Sequence, residues 1–398
     1  MGKEVIKTIN DEHPMLYRKK EDCCGCEACS QICPKGIIQM KSDDEGFVYP
    51  HIVNADDCIS CFSCEKVCPV KHSDELRSRF TDAFAGWSRS DDNTVRSASG
   101  GFSYSLAQKC VDCGYVVYGV SYSNDFREVA YKRAENIDEL NGFRGSKYVQ
   151  ARKHNTFVSI REDLKTHEVV FFGTPCDCYA LSRFIKDRSK LTIVALICHG
   201  PTSDIIQQKF CENLEKENKS KITEFNLRYK LNGTWKPYYI YAKFENNNIY
   251  CKKFNDTDYN IAFLNFKRPS CESCRFKKNH LFGDILIGDY HGVNKESPIY
   301  NEHGVSVMLP LTERGKHTIE TMNEYFIYSK VPLRSAISQQ AIHSPVKKDT
   351  DRKLFISKLN EKGLNAACMS EAINTSKAGF KSLVVSKTKR ALWGLFRI

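Results

Sequence analysis

Apolar residues follow two different patterns along this 398-residue chain. Up to about residue 75 the apolar runs are short and interrupted by cysteine-rich loops, and segment 36–53 between those loops predicts a hairpin that turns at Asp44, Glu45 and Gly46. After residue 80, strands are predicted at 83–88, 115–122, 128–134 and 145–150, and strand–turn–helix units at 169–185 and 191–210. Alternation of this kind is typical of an α/β domain.

Residues 95–114 are predicted to be a loop that passes into a helix. Ser97 or Ser99 is placed to cap this helix, and Gly100 and Gly101 would leave its first backbone N–H groups open. Such a terminus can bind a phosphate through the unpaired donors and the helix dipole. An ordinary capped helix explains the same residues equally well. The segment does not carry the G-x-G-x-x-G fingerprint of a Rossmann fold.

Composition indicates a globular chain with thiols reserved for metal. Charged residues make up 27% and hydrophobic residues 41% of the sequence, as in soluble proteins. The polar N-terminus MGKEVIKTINDEH and a longest apolar run of six residues predict neither a signal peptide nor a spanning helix. A cytoplasmic location is therefore expected. Nineteen cysteines in such a chain favour metal binding over a disulfide framework.

The net charge of +11 is concentrated at the C-terminus. Residues 345–398 contain twelve Lys or Arg against four Asp or Glu, which gives +8, so the rest of the chain is nearly neutral. This distribution argues against a nucleic-acid partner. Residues 346–398 are predicted to form a basic helical tail, in which KAGFKSLVVSKTKRALWGLFRI would lie on an anionic inner-membrane surface or against a partner. The alternative is a helix that packs on its own domain.

A cysteine pattern occurs twice near the N-terminus. Both copies, the first within CCGCEACSQICP at 23–34, read C-x2-C-x2-C-x3-C and end at a proline, and Cys24 lies outside the spacing. The module resembles bacterial two-cluster ferredoxins, in which the fourth cysteine of each copy ligates the other cluster. Zinc is the alternative, although its four-cysteine sites usually consist of two separated pairs. The first 4Fe-4S site is therefore predicted to use Cys23, Cys26, Cys29 and Cys68, and the second Cys58, Cys61, Cys64 and Cys33.

Four later cysteines could form a third site. Cys176 and Cys198 each follow a predicted strand, at the edge of an α/β sheet where ligands bind, and Cys271 and Cys274 have chelating C-x2-C spacing. Together they supply enough thiolates for a third 4Fe-4S cluster. Buried hydrophobic cysteines, or half of a zinc site, remain the alternatives. The pair Cys110 and Cys113 has no predicted partners and is interpreted as structural.

Six short motifs carry a family resemblance over about residues 80–335. SASGG, GSKY, GTPC, ICHG, RPSCESC and IGDYHG, in this order, resemble the beta subunit of coenzyme F-420 (deazaflavin) hydrogenase and its dehydrogenase and reductase relatives. The resemblance implies a bound FAD and supports Cys176, Cys198, Cys271 and Cys274 as ligands of a third cluster. His291 stands where relatives usually have tryptophan, so the identity of the substrate cannot be inferred from the resemblance. The residues implied to line the flavin pocket are Ser99, Gly100, Gly101, Ser146, Lys147 and Tyr148, and His199 is a candidate proton donor.

These observations predict an α+β ferredoxin-like domain at 1–75, followed by a larger α/β flavin-binding domain with a mixed sheet at 80–345 and by the tail. The expected function is an iron-sulfur flavoprotein oxidoreductase that passes electrons between 4Fe-4S clusters and FAD, with hydride transfer to or from an organic acceptor. Its expected partners are a redox protein or ferredoxin and a small hydride donor or acceptor, and a homo-oligomer is compatible with the sequence. The alternatives are an electron-transfer subunit that docks on a catalytic partner, and a zinc-stabilised structural module.

Overall fold

The computed structural model describes residues 13–345 and 348–373. Its strands are β1 Ile38–Ser42, β2 Val48–Ile52, β3 Phe84–Ser88, β4 Val116–Tyr122, β5 Val129–Ala134, β6 Val169–Gly173, β7 Leu191–Leu196, β8 Ile222–Tyr229, β9 Tyr239–Phe244, β10 Ile249–Lys253, β11 Ile285–Asp289, β12 Ser306–Pro310 and β13 Phe326–Lys330. Its α-helices are α1 Ala28–Ile32, α2 Ser63–Lys66, α3 Asp91–Arg96, α4 Phe102–Asp112, α5 Ile137–Leu140, α6 Thr156–Asp163, α7 Pro175–Phe184, α8 Asp204–Asn218, α9 Asp258–Asn265, α10 Pro269–Glu272, α11 Glu313–Glu320, α12 Leu333–Ala336, α13 Gln340–His343 and α14 Arg352–Cys368.

The N-terminal segment forms a hairpin between two short cysteine-bearing helices. Strands β1 and β2 pair antiparallel with Ile38 opposite Ile52, which confirms the predicted hairpin. Gly46 closes the turn at φ +79°, a left-handed conformation that glycine adopts without steric cost. The hairpin does not stand alone: Phe47 and Tyr49 are buried in an apolar cluster shared with α8, α9 and α14. The cysteine loops are therefore held against the rest of the protein.

A mixed sheet of eight strands forms the centre of the larger part of the chain, in the order β13-β3-β12-β11-β7-β6-β4-β5. The four neighbours β11, β7, β6 and β4 run parallel, and the strands at both edges pair antiparallel. The predicted strand–turn–helix units correspond to β6–α7 and β7–α8, so the ends of β6 and β7 lie side by side. Cysteines that follow these two strands are thus brought together at the carboxyl-terminal ends of the parallel strands.

A second, three-stranded antiparallel sheet has the order β10-β9-β8 and packs with α8, α9 and α14 around one apolar core. Helix α14 covers part of the segment predicted to be the basic tail, and its buried Phe355, Ile356 and Leu359 contribute to that core. Arg352 at its start donates to the Glu45 carboxylate in the N-terminal hairpin at 2.6 Å. The remainder of the predicted amphipathic segment, residues 374–398, lies outside the described residues.

Two local expectations are wrong. Residues 145–150 do not form a strand, because the segment contributes only an isolated bridge between Val149 and Thr202. Neither Ser97 nor Ser99 caps α4: the helix begins after Gly101, at φ +86°, and has no side-chain cap. A separate short helix, α3, precedes it and is capped by Ser90. Within the described residues, no helix combines the length and the apolar character needed to cross a bilayer.

Candidate metal and cofactor sites

The cysteines of the first predicted cluster site line one cavity. This cavity lies beneath the β1–β2 hairpin. Cys24 and Cys64 also border it. The four cysteines predicted to share a cluster here are Cys23, Cys26, Cys29 and Cys68.

The second predicted set lines a neighbouring cavity. Cys64 borders both cavities and therefore lies between them. Ile38 and Ile52 form part of the apolar wall. The four cysteines of this set are Cys33, Cys58, Cys61 and Cys64. The two sets of four cysteines that the spacing predicts therefore line two different cavities. Their assignment as cluster ligands stays a prediction.

The sequence repeat is also a repeat of backbone conformation. In each copy, the residues on both sides of the second cysteine have positive φ: Gly25 and Glu27 around Cys26, and Ser60 and Phe62 around Cys61. Turns that combine left-handed and right-handed residues point successive backbone N–H groups into a concavity, and such concavities bind anions and iron-sulfur clusters. The local fold therefore suits a cluster held by thiolates, which is an anion.

The thiols of the two cavities differ in their acidity. Burial raises the pKa of Cys29 and Cys68, and raises that of Cys64 to about 11. The exposed Cys61 has a lowered pKa because the Ser63 hydroxyl hydrogen-bonds its thiolate. Buried thiols of this kind keep their protons until a metal displaces them. Within the described residues, no three His, Cys, Asp or Glu side chains converge on a single metal-ion position.

The third predicted set is also brought together. Cys271 lies close enough to Cys176, Cys198 and Cys274 for their charges to raise its pKa, after the larger effect of burial. Its Sγ is 3.3 Å from the position that a Cβ on Gly200 would occupy, and the Gly200 N–H donates to Cys198 Sγ at 3.3 Å. The four thiols therefore lie near one another, in the region where β6 and β7 end. An N–H donor to a ligand sulfur is a common feature of iron-sulfur sites.

Cys24, which the spacing excludes, lies between the first and third sites. Its thiol lies close enough to those of Cys26 and Cys176 for both to influence its pKa, which is raised. One apolar cluster around Tyr179 and Phe276 includes Cys24 together with Cys68 of the first set and Cys176 and Cys274 of the third. Sequence reasoning missed this residue because proximity to Cys176, which is distant along the chain, carries no local signal. The two sites are therefore adjacent, with a thiol between them.

A buried ion pair lies beside the third site. Arg228 on β8 donates to both carboxylate oxygens of Asp289, at 2.9 and 3.3 Å, and to the Tyr148 hydroxyl at 3.3 Å. Burial opposes ionisation of Asp289, but the charge and hydrogen bonds of Arg228 outweigh it and lower the carboxyl pKa. No local motif marks Arg228 in the sequence, because its partner Asp289 lies 61 residues further along the chain.

The two histidines of interest lie near this pair. His291 Nε2 is 3.5 Å from Asp289, and its ring is nearly parallel to that of Trp235, with planes 9° apart. Burial lowers the pKa of His199 to about 4, and the charges of Lys267, Lys277 and His291 act in the same direction. The His199 ring is therefore neutral at pH 7 and has no imidazolium proton to donate. Its role as a proton donor stays a prediction.

The structure divides the six residues implied for the flavin pocket into two groups. Ser146 and Lys147 line an open pocket of about 910 Å³ that also contains Arg144 and Asn226. The other four residues do not line this pocket. Ser99 and Tyr148 contact the Arg228–Asp289 pair, and Gly100 and Gly101 pack against protein backbone or side chains.

One arginine and one lysine side chain hold the SASGG loop in place. Arg228 donates to the Ala98 carbonyl at 2.9 Å, and Lys230 donates to the carbonyls of Thr94 and Ser99 at 2.6 and 2.7 Å. The Ser99 hydroxyl donates to the Val305 carbonyl at 2.8 Å. These long-range contacts, rather than a helix cap, determine the conformation of the loop.

Replacement of Gly100 by alanine is expected to lower the free energy of unfolding by about 2–3 kcal/mol. An ideal Cβ at this position would lie 2.3 Å from the Gly86 carbonyl oxygen and 2.6 Å from the Ser306 nitrogen. The urea unfolding midpoint measures the effect. Gly292→Ala is the control, because its nearest neighbour is the Ser335 hydroxyl at 3.1 Å. Unchanged stability in Gly100→Ala would contradict a packing role for this glycine.

Two segments of the chain match known families. Residues 166–332 match the family described as the C terminus of the Coenzyme F420 hydrogenase/dehydrogenase beta subunit, and residues 22–73 match the 4Fe-4S dicluster domain. No curated protein matches the chain. A chain of the F420-reducing NiFe hydrogenase complex from Methanosarcina barkeri is similar in structure at 14% identity and a TM-score of 0.47, over 73% of this chain and 91% of that chain. The two family matches confirm the predicted resemblance.

Proposed function

Because residues 166–332 match the coenzyme F420 hydrogenase/dehydrogenase beta subunit family and residues 22–73 match the 4Fe-4S dicluster family, we propose that this protein is an iron-sulfur flavoprotein oxidoreductase. Both families support electron transfer by iron-sulfur clusters. Beyond that, the proposal includes a third cluster, a bound FAD and hydride exchange with a small organic molecule. Iron-sulfur clusters carry single electrons, and a flavin exchanges these for a hydride.

The continuous arrangement of cysteines is the observation that carries the proposal. The two N-terminal cavities share Cys64, and the first of them shares an apolar cluster with the third set through Cys24. This arrangement supports a path for electrons from the protein surface at Cys61 to the edge of the central sheet. The apolar residues around Tyr179 exclude water from the junction.

The open pocket beside β8 supports flavin binding. Arg144 lines it, and its buried Nη1 has no hydrogen-bond partner in the described part of the chain. Lys147 donates only to backbone carbonyls, those of Gly142, Arg144 and Gly145, and its enclosed position lowers the ammonium pKa to about 7. A phosphate in this pocket would supply the missing acceptor for Arg144 and keep Lys147 charged. These two residues would hold the pyrophosphate of FAD.

The residues near Asp289 would orient the substrate where it reacts with the flavin. Arg228 holds the Asp289 carboxylate in a fixed position, and the His291 ring, which is nearly parallel to that of the buried Trp235, lies beside it. In place of the tryptophan usual in relatives, His291 presents a ring nitrogen that can hydrogen-bond a substrate. The proposal therefore assigns a polar organic substrate, with a redox protein or ferredoxin as the electron partner.

Chemical composition tests the proposal. Protein purified without oxygen should contain about twelve irons, an equal amount of sulfide and about one FAD per chain. Its visible spectrum should bleach with dithionite. About twelve irons without flavin would instead favour the electron-transfer subunit that docks on a catalytic partner. About eight irons with zinc would overturn the third cluster and favour a structural role for the larger domain.

A further inference from the structure

Two consecutive cations, Lys267 and Arg268, are buried between the first and third cysteine sets. They join α9 to α10, directly before the Cys271 motif, and their exposed fractions are 6% and 1%. Within residues 13–345 and 348–373, neither side chain forms an ion pair with an aspartate or glutamate. An isolated charge in a protein interior costs several kcal/mol unless an opposite charge compensates it. The absence of a carboxylate here indicates another anion.

Arg268 faces the first site. Its guanidinium donates to the carbonyl oxygens of Cys23 and Val48 at 2.8 and 2.9 Å and to Gln150 Oε1 at 2.7 Å, and it lies 3.5 Å from Cys23 Sγ. All its oxygen acceptors are neutral. The groups around it that can become anionic are the thiols of Cys23, Cys24 and Cys271, and the Tyr49 hydroxyl.

Lys267 faces the third site. Its Cδ and Cys271 Sγ lie 3.2 and 3.3 Å from the position that a Cβ on Gly200 would take, so the aliphatic chain runs beside the cysteine. Its ammonium forms no hydrogen bond with the described residues and contacts the face of the Phe263 ring at 5.3 Å. Burial lowers the pKa of this ammonium, and the groups that act in the opposite direction and favour its charge are Cys271 and Cys198. The ammonium is thus free to interact with whatever these thiols hold.

We propose that Lys267 and Arg268 are the counter-charges of the third and first clusters and raise their reduction potentials. The inference rests on the proposed function, because it requires both sites to hold clusters. A cluster gains one negative charge on reduction, and a nearby positive charge stabilises the reduced form, more strongly in an interior that excludes water. Electrons would therefore collect at the junction of the two sites, where Cys24 lies, rather than at the second site.

Substitution of Lys267 tests the proposal, because the Lys267 side chain forms no hydrogen bond with the described residues that the substitution would remove. In Lys267→Met, the ratio of reduced to oxidised third cluster at the wild-type midpoint should fall about tenfold, equivalent to about 59 mV for a one-electron couple. Lys267→Arg should keep the wild-type potential. Lys132→Met, at an exposed position on the edge strand β5, is the control for loss of a lysine far from the site. The measurement is an anaerobic redox titration followed by electron paramagnetic resonance.

Iron analysis of each variant separates two kinds of failure. An unchanged potential in Lys267→Met with about twelve irons would overturn the counter-charge role and leave the proposed function intact. About eight irons in the wild-type protein would overturn the third cluster, and this inference with it. A fall in potential that Lys267→Arg does not prevent would mean that packing, rather than charge, is responsible, and would also overturn the inference.

Discussion

Replacing both Cys271 and Cys274 with alanine should leave about eight of about twelve irons per chain. The two remaining thiols of the third set, those of Cys176 and Cys198, cannot hold a cluster that needs four ligands. The N-terminal cavities share none of their predicted ligands with this set. Iron and sulfide analysis, together with the loss of one paramagnetic signal on reduction, measures the result. The proposed hydride transfer should be lost in the same variant, because the proposed path between the N-terminal clusters and a flavin would be interrupted.

The pair Cys110 and Cys113 provides a control with the same C-x2-C spacing. Cys110 is buried on α4 and Cys113 is exposed at the end of that helix. Alanine at both positions should leave the iron content unchanged. If Cys271→Ala/Cys274→Ala kept all its iron, or if the control lost as much, the third site would be wrong.

Replacing Arg268 with methionine should destabilise the cluster-loaded protein by about 3–5 kcal/mol. The substitution leaves the Cys23 and Val48 carbonyls without their donor and removes the positive charge beside Cys23. In protein stripped of iron, the same substitution should cost less, because the buried guanidinium then lacks its counter-charge and is itself unfavourable. Urea unfolding midpoints of the loaded and stripped forms give the difference.

Arg228 is the matched control for this comparison. It is also buried, but Asp289 compensates its charge within the protein. The difference between the costs in loaded and stripped protein should therefore be smaller for Arg228→Met than for Arg268→Met. Equal costs for Arg268→Met in the two forms would show that no cluster is coupled to the arginine.

Much of the fold follows from local sequence patterns. The hairpin at 38–52, the neighbouring strands β6 and β7, and the grouping of the N-terminal cysteines depend on spacing and periodicity, which the sequence contains. The SASGG loop does not, because Arg228 and Lys230, more than a hundred residues later, determine its shape. The local sequence predicts a serine cap, but long-range hydrogen bonds determine the conformation of this loop instead.

The chemistry of the candidate site shows the same limit. Spacing and strand position predicted the three cysteine sets but excluded Cys24, whose position between Cys26 and Cys176 depends on the packing of two distant segments. Lys267 and Arg268 stand in the sequence as an ordinary basic pair before a proline. Only their burial without carboxylates distinguishes them from a solvated charge pair. The interior environment of a charge cannot be derived from its neighbours along the chain.

The contacts of Arg268 and Arg352 with the N-terminal module also constrain how the protein is made. Arg268 reaches the Cys23 carbonyl across 245 residues, and Arg352 reaches Glu45 across 307. A ribosome that has synthesised only the cysteine repeats has exposed a segment whose packing partners do not yet exist. The packing of the repeats against the rest of the protein is therefore completed only after Arg352 has been synthesised.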